Sequence, residues 1–174
     1  MPAVIIIDLQ NGMLDGVAFP PLFDHERLIA NTNRLADWAR VNDVPVAYVR
    51  HDGPEGEALA PGAPGWPIFA AVAPKDGEPI FQKSIGDAFS NPALADWLKA
   101  RAIGEVILAG AQTDQCVTDT CRGALAEGLA VTIAADAHST YDWNGETAAQ
   151  IIDRQNRLFA ELGARVEAVE ALVG

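Results

Sequence analysis

The sequence predicts an α/β fold: a single domain, residues 1–174, built as a doubly wound parallel sheet with helices on both faces. Three observations carry this expectation. Short β-branched runs such as "AVIIIDL" and "EVILAG" show no alternation of apolar and polar residues, as strands buried on both faces require. Between such runs lie segments whose apolar residues recur at helical spacing. The two kinds of segment alternate along the chain, and alternation favours parallel strands joined by crossover helices.

Taken in order, "AVIIIDL" (3–9) is the first strand. From His25 to about Val41 the residues Leu28, Ile29, Leu35, Ala36 and Ala39 mark one face of a helix. "VPVAYVRH" (44–51) is the second strand. Residues 52–78 are rich in Gly and Pro and too long for a simple connection, so they form a functional or disordered loop. Trp66, Ile68 and Phe69 within it favour a loop that packs. "PIFQK" (79–83) is a short strand, and Asn91 followed by Pro92 is a helix start. "EVILAG" (105–110) is a buried strand, and Thr113 or Asp114 is placed to cap the helix that ends at Gly128. "AVTIAAD" (130–136) is the next strand. A helix near 145–162 buries Ala148, Ile151, Ile152, Phe159 and Leu162, and "ARVEAV" completes the set. No internal repeat or domain linker is visible.

Composition narrows the function classes. With 49% hydrophobic and 21% charged residues the chain is that of a soluble globular protein. Its net charge of -12, from 24 acids against 12 bases, argues against nucleic acid or an anionic membrane as partner, since both are polyanions. No apolar run approaches a membrane span. The N-terminal "AVIII" is too short for a signal-peptide core and is interrupted by Asp8. The cytoplasm is therefore the expected location, where thiols stay reduced.

In folds of this class the site lies beyond the carboxyl ends of the strands. Asp8, Lys83 and Cys116 all fall there, from three separate strands. In the opening turn of a helix, Cys116 meets unpaired backbone N–H groups and the positive end of the helix dipole, which favour a thiolate. Asp8 is placed to accept a thiol proton and Lys83 to hold Asp8 ionised. Each has a plainer alternative: a small core cysteine, a turn aspartate, a solvated lysine. At the sheet edge, substitutions of these residues should be tolerated by the fold. Cys121 lies on the apolar stripe with Val117, Ala124 and Leu125, whereas Cys116 is about 100° from Val117 around the helix. The two thiols thus point apart, as a reactive group and a buried one.

The segments "VIIIDLQNGML", "FQKSIGDAF" and "LAGAQTDQCVTDTCRGALAEGLAVTIAADAHST" resemble the three signature blocks of the isochorismatase-like cysteine hydrolases, and the similarity covers nearly the whole chain. The resemblance implies a catalytic triad of Asp8, Lys83 and Cys116 that cleaves C–N bonds of small amide, carbamoyl or lactam compounds through a thioester. It implies a cis peptide at Ala111–Gln112, with the backbone amides of Gln112 and Cys116 as the oxyanion hole. It also implies a homo-oligomer, which the tryptophans and apolar residues near the long loop support.

Nicotinamidases of this family hold a metal through an Asp-x-His pair and a further histidine. Here only His51 and Asp52 stand at that place, and a zinc site needs three or four ligands. The expectation is therefore no metal and no cofactor, with His51 anchoring the loop or lining the pocket. Phe19 or Phe23, Trp66 and Trp143 are candidates for the wall of an apolar substrate pocket. His138, in "DAHST" at the same sheet edge, is a candidate pocket residue or a turn residue. Two other classes compete. A Mg-dependent phosphohydrolase with a strand-end aspartate nucleophile needs a second carboxylate two residues on, where Gln10 stands. A non-catalytic thiol sensor or binding protein would keep Cys116 without needing Asp8 and Lys83.

Overall fold

The computed structural model describes residues 1–174 as one six-stranded sheet in which every paired strand runs parallel. The strands are β1 (Pro2–Ile7), β2 (Val46–His51), β3 (Ile80–Lys83), β4 (Glu105–Ala111), β5 (Ala130–Ser139) and β6 (Arg165–Glu167). Their order across the sheet is β3-β2-β1-β4-β5-β6, so the winding reverses between β1 and β4. That reversal opens a crevice at the carboxyl ends of the two strands.

Strand side chains alternate between faces, and each face acquires its own core. Val4, Ile6, Tyr48 and Ala109 pack with Leu28, Leu35 and Ala39 of helix α2 (His25–Val41) and with Met13 and Leu14 of the short α1 (Asn11–Leu14). Ile5, Ile7, Leu108 and Ile133 pack against the opposite layer. There Leu94 and Leu98 come from α3 (Pro92–Lys99), Cys121 and Ala124 from α4 (Thr118–Ala126), and Phe159 from α5 (Ala148–Glu161). The terminal α6 (Val169–Val173) returns Val169 to the first layer. No helix is long and apolar enough to cross a membrane.

Several predicted boundaries move, each for a local reason. β1 stops at Ile7 because Asp8 turns into the left-handed region at φ 52°. β2 starts at Val46 because the Val44 N–H is spent on the Ala39 carbonyl at the end of α2. β5 runs on to Ser139 through a register shift against Leu108 and Gly110, so "DAHS" belongs to the strand itself. α3 starts as expected, with Asn91 accepting from Ala93 N–H and Pro92 at its first position. The helix after β4 does not start on a capping side chain. It opens with a π-type turn, Thr113–Val117, kinked at Gln115. Thr113 and Asp114 use their side chains on His138 and Thr140 instead.

Residues 52–78 do pack. Their backbone bonds to the segment after β1 through Phe69 N to Leu9 O, Asn11 N to Pro67 O and Gly12 N to Gly65 O. Trp66 donates its indole N–H to Asp52 at 2.8 Å, and the Arg50 guanidinium lies over its ring.

Candidate active site

Three strand ends and one turn bring the site together. Asp8 leaves β1 with its backbone amide on Val49 O, which fixes it beside β2. Lys83 ends β3 and pairs in register with His51 at the end of β2. Cys116 hangs from the π-type turn that follows β4 and the cis Ala111–Gln112 peptide. Gly110 allows the close approach of β4 to β1: its φ is 124°, and a Cβ there would sit 2.1 Å from the Ile7 carbonyl oxygen.

The Lys83 ammonium is the centre of the cluster. It lies 2.8 Å from Asp8 Oδ2, 3.1 Å from His51 Nδ1 and 3.3 Å from Cys116 Sγ. An ammonium has three donors and no acceptor, so these contacts use it fully. His51 Nδ1 must then be the acceptor, which puts the proton of the neutral ring on Nε2. Burial, and after it the Lys83 charge, holds the His51 pKa below the ordinary value and keeps the ring neutral.

Asp8 and Lys83 are buried, at 1% and 4% exposure, which corrects the expectation of a tolerant sheet edge. Stripping either partner would leave a charge without its counterion inside the protein. Burial raises the Asp8 pKa above the usual carboxylate range, with Lys83 pulling the other way. Asp8 Oδ1 is buried without a hydrogen-bond partner. Cys116 is half-buried, and its thiol is pushed up to about 12, first by burial and then by Asp8, with Lys83 opposing. The thiol thus lies in a cluster whose carboxylate has one oxygen without a hydrogen-bond partner. Cys121 is fully buried in the core, as its place on the helix stripe required.

Gln112 N–H makes no hydrogen bond within the chain, and Cys116 N–H bonds to nothing outside its own turn. Next to them lies a cavity of about 530 Å³ lined by His51, Gln112 and Gln115, with Phe19 and Trp143 on its walls. Two of the candidate pocket residues are thus in place. Trp66 is not: its indole braces the loop on Asp52 and Arg50. His138 is not either, and it serves neither the pocket nor a turn. It is buried, with Nδ1 on the Thr113 hydroxyl at 2.8 Å and Nε2 on Asn156 Oδ1 at 2.9 Å, and it borders a separate cavity shared with Phe23.

Sequence reading missed Gln10, whose amide accepts from His51 N–H and donates to the carbonyls of His51 and Trp66. A long amide side chain two residues after the strand-end Asp8 was the available signal. It also missed Tyr141, Glu57 and Asp114 on the cavity wall, which only tertiary contacts reveal.

Asp8, His51 and Cys116 offer ligand atoms within 4.8 Å of one another, the spacing of a metal site. The Lys83 ammonium, however, already contacts one such atom of each residue. Asp52, the other residue of the family's metal position, has an oxygen committed to Trp66. A buried ammonium among the donors does not fit a resident metal.

Fold and site together define a three-layer α/β protein with a thiol, a carboxylate and an ammonium converging at the switch point of its sheet. The isochorismatase domain model matches residues 2–167, and the chain belongs to the isochorismatase family. It is 32% identical over 140 residues to a streptothricin hydrolase of Streptomyces noursei, covering 80% of this chain and 55% of the relative. Against an N-carbamoylsarcosine amidase of Arthrobacter the identity is 31% over 149 residues, with 74% and 55% covered. The chain spans about half the length of these curated relatives. Among solved structures, an isochorismatase from Pseudomonas putida KT2440 superposes with a TM-score of 0.90 at 29% identity, covering 98% of this chain and 89% of that one. A cysteine hydrolase from Pseudomonas syringae pv. phaseolicola 1448A shares the fold at a TM-score of 0.92 and 22% identity, with 99% and 90% covered.

Proposed function

We propose that this chain is a cysteine hydrolase that cleaves a C–N bond of a small amide, carbamoyl or lactam compound through a thioester. The observation that carries this reading is the buried Lys83 ammonium in contact with Asp8, His51 and Cys116 beside an open cavity. The Cys116 thiol gives its proton to Asp8 Oδ1, the acceptor that lacks a partner. The sulfur attacks the substrate carbonyl carbon while the Lys83 charge stabilises the forming thiolate. The oxyanion of the tetrahedral intermediate accepts from Gln112 N–H and Cys116 N–H. Asp8 returns the proton to the departing nitrogen, leaving a thioester on Cys116 and a free amine. Water then adds to the thioester, losing a proton to Asp8, and the acid leaves as Cys116 regains its thiol. The net reaction is amide plus water to acid plus amine.

The hydrolase names of the curated relatives support the reaction class. Gln10 supports it against a Mg-dependent phosphohydrolase, because its amide is spent on His51 and Trp66 and supplies no second carboxylate. Both cysteines are free thiols, which suits a reducing compartment. Self-association belongs to the same reading, supported by the exposed Phe19 and Trp143 on the cavity wall and by exposed Phe23, which shares a neighbouring hollow with Phe19. Light scattering that returns a monomer mass at micromolar concentration would refute that part. The reaction is tested by ammonia release from a panel of primary amides and ureides, and by the new primary amine formed when lactams open. Turnover that is abolished by Cys116→Ser and by stoichiometric iodoacetamide supports it; turnover that survives both overturns it.

A further inference from the structure

The cavity beside Cys116 has a one-sided set of charges. Its lining includes the carboxylates of Glu57 and Asp114 and contains no arginine or lysine. Of the cations on neighbouring elements, Lys83 and Arg154 are committed to other partners and Arg50, whose Nε has no hydrogen-bond partner, lies outside the cavity lining. Lys83 is used by Asp8, His51 and Cys116. Arg50 lies 3.6 Å from the centroid of the Trp66 ring. Arg154, which feels the charge of Asp114, is forked onto Glu146 at 3.1 and 3.0 Å. Asp114 accepts through Oδ1 from the Thr140 hydroxyl at 2.6 Å, and its other oxygen makes no hydrogen bond. Asp15 adds a further negative charge behind Tyr141, whose phenol is pushed up to about 12 by burial and then by Asp15.

Aromatic rings complete the wall. Phe19, Tyr141 and Trp143 line the same cavity, and Trp143 is 72% exposed. Ring faces together with carboxylates are the surroundings that receive an alkylammonium group, because the ring quadrupole and the carboxylate charge attract it in the same sense. A carboxylate-bearing substrate would meet repulsion and no counterion. The cavity volume of about 530 Å³ lies in the range that accepts a drug-sized molecule, so an amide and a separate charged end fit together.

We infer that the substrate is a small amide carrying a positive charge, its ammonium seated among Asp114, Glu57 and the rings of Phe19, Tyr141 and Trp143 while its carbonyl lies at Cys116. This rests on the hydrolase reading of the same site and adds the charge of the molecule it accepts.

Three para-substituted phenylacetamides of matched shape test it: one bearing a trimethylammoniomethyl group, one the neutral neopentyl isostere, one a carboxymethyl group. The expected order of kcat/KM is cation, neutral, anion, with the cation ahead of the neutral amide by about tenfold. Asp114→Asn and Glu57→Gln should each reduce that ratio severalfold, as should raised salt. The same compounds are titrated calorimetrically into the Cys116→Ala protein, where the same order is expected for binding. Hydrolysis of the amides without a charge order overturns the cation site and leaves the hydrolase reading intact. A charge order in binding with none of the three hydrolysed supports the cation site and counts against the reaction. Absence of binding by all three, or tightest binding by the carboxylate, overturns the inference.

Discussion

Two buried polar clusters stand at the carboxyl edge of the sheet, one around Lys83 and one around His138, and they are finished to different degrees. Around His138 every partner is matched: Thr113 hydroxyl to Nδ1, Nε2–H to Asn156 Oδ1, and the Asn156 amide on to the Ala135 carbonyl. Phe159 meets the ring edge-on and closes it off. Around Lys83 the ammonium is saturated, yet Asp8 Oδ1 is left without a partner in the same cluster as the Cys116 thiol. A satisfied cluster holds two elements together; one with an open acceptor in the same cluster as a thiol is equipped for transfer.

The sharpest way to break this contrast is to remove Lys83. Lys83→Ala should lower kcat by at least about a hundredfold. It should also cost roughly 3–5 kcal/mol of stability, because Asp8 is left charged and buried. Ammonia release and urea denaturation read the two effects. Asp8→Asn should lose a similar factor in kcat; wild-type turnover in either variant would end the proposed mechanism.

His138→Ala should show the reverse pattern. Leaving Thr113 and Asn156 unpaired costs about 1–3 kcal/mol for each group kept from water, while turnover by the folded protein is retained. An inactive variant with normal stability would mean that His138 belongs to the chemistry after all.

Acid sharpens the comparison further. Burial holds the His138 pKa down from 6.5 to about 4, so the folded protein binds fewer protons than the unfolded chain between those values. Stability is therefore complete above 6.5 and declines as pH falls through about 4, by roughly 3 kcal/mol from this group. Denaturation midpoints followed against pH should fall across that window in the wild type and flatten in His138→Gln.

The smallest expected effect concerns the thiols. Cys121→Ala removes a small buried group from the core and should cost about 1 kcal/mol with activity kept. Mass spectrometry after brief alkylation should find the label on half-buried Cys116 and none on Cys121. First labelling of Cys121 would mean that the core around α4 opens more readily than the site does.

The convergence of Asp8, Lys83 and Cys116 was legible because strand ends and a helix start are local features, visible in "IIID", "FQK" and "TDQC". Apolar runs likewise revealed the sheet and its helices. What stayed hidden depends on partners far along the chain. Thr113 reads as a helix cap until His138, 25 positions on, takes its hydroxyl. Trp66 reads as a pocket wall until Asp52 and Arg50 claim its edge and face. The helix start that favours a thiolate is local, whereas the burial that pushes the Cys116 thiol up comes from distant parts of the chain. The kink at Gln115, where φ is -122° and ψ is -105°, has no sequence signature that periodicity could detect.

Gln10 gives the long loop a mechanical meaning. One side chain fastens the exit of β1 to the backbone of His51 and, through the same amide nitrogen, to the Trp66 carbonyl. His51 in turn touches Lys83. Asp52 adds a second tie, its N–H on the Lys83 carbonyl and its carboxylate on the Trp66 indole, so the long loop and the residue bearing the ammonium share one hydrogen-bonded frame.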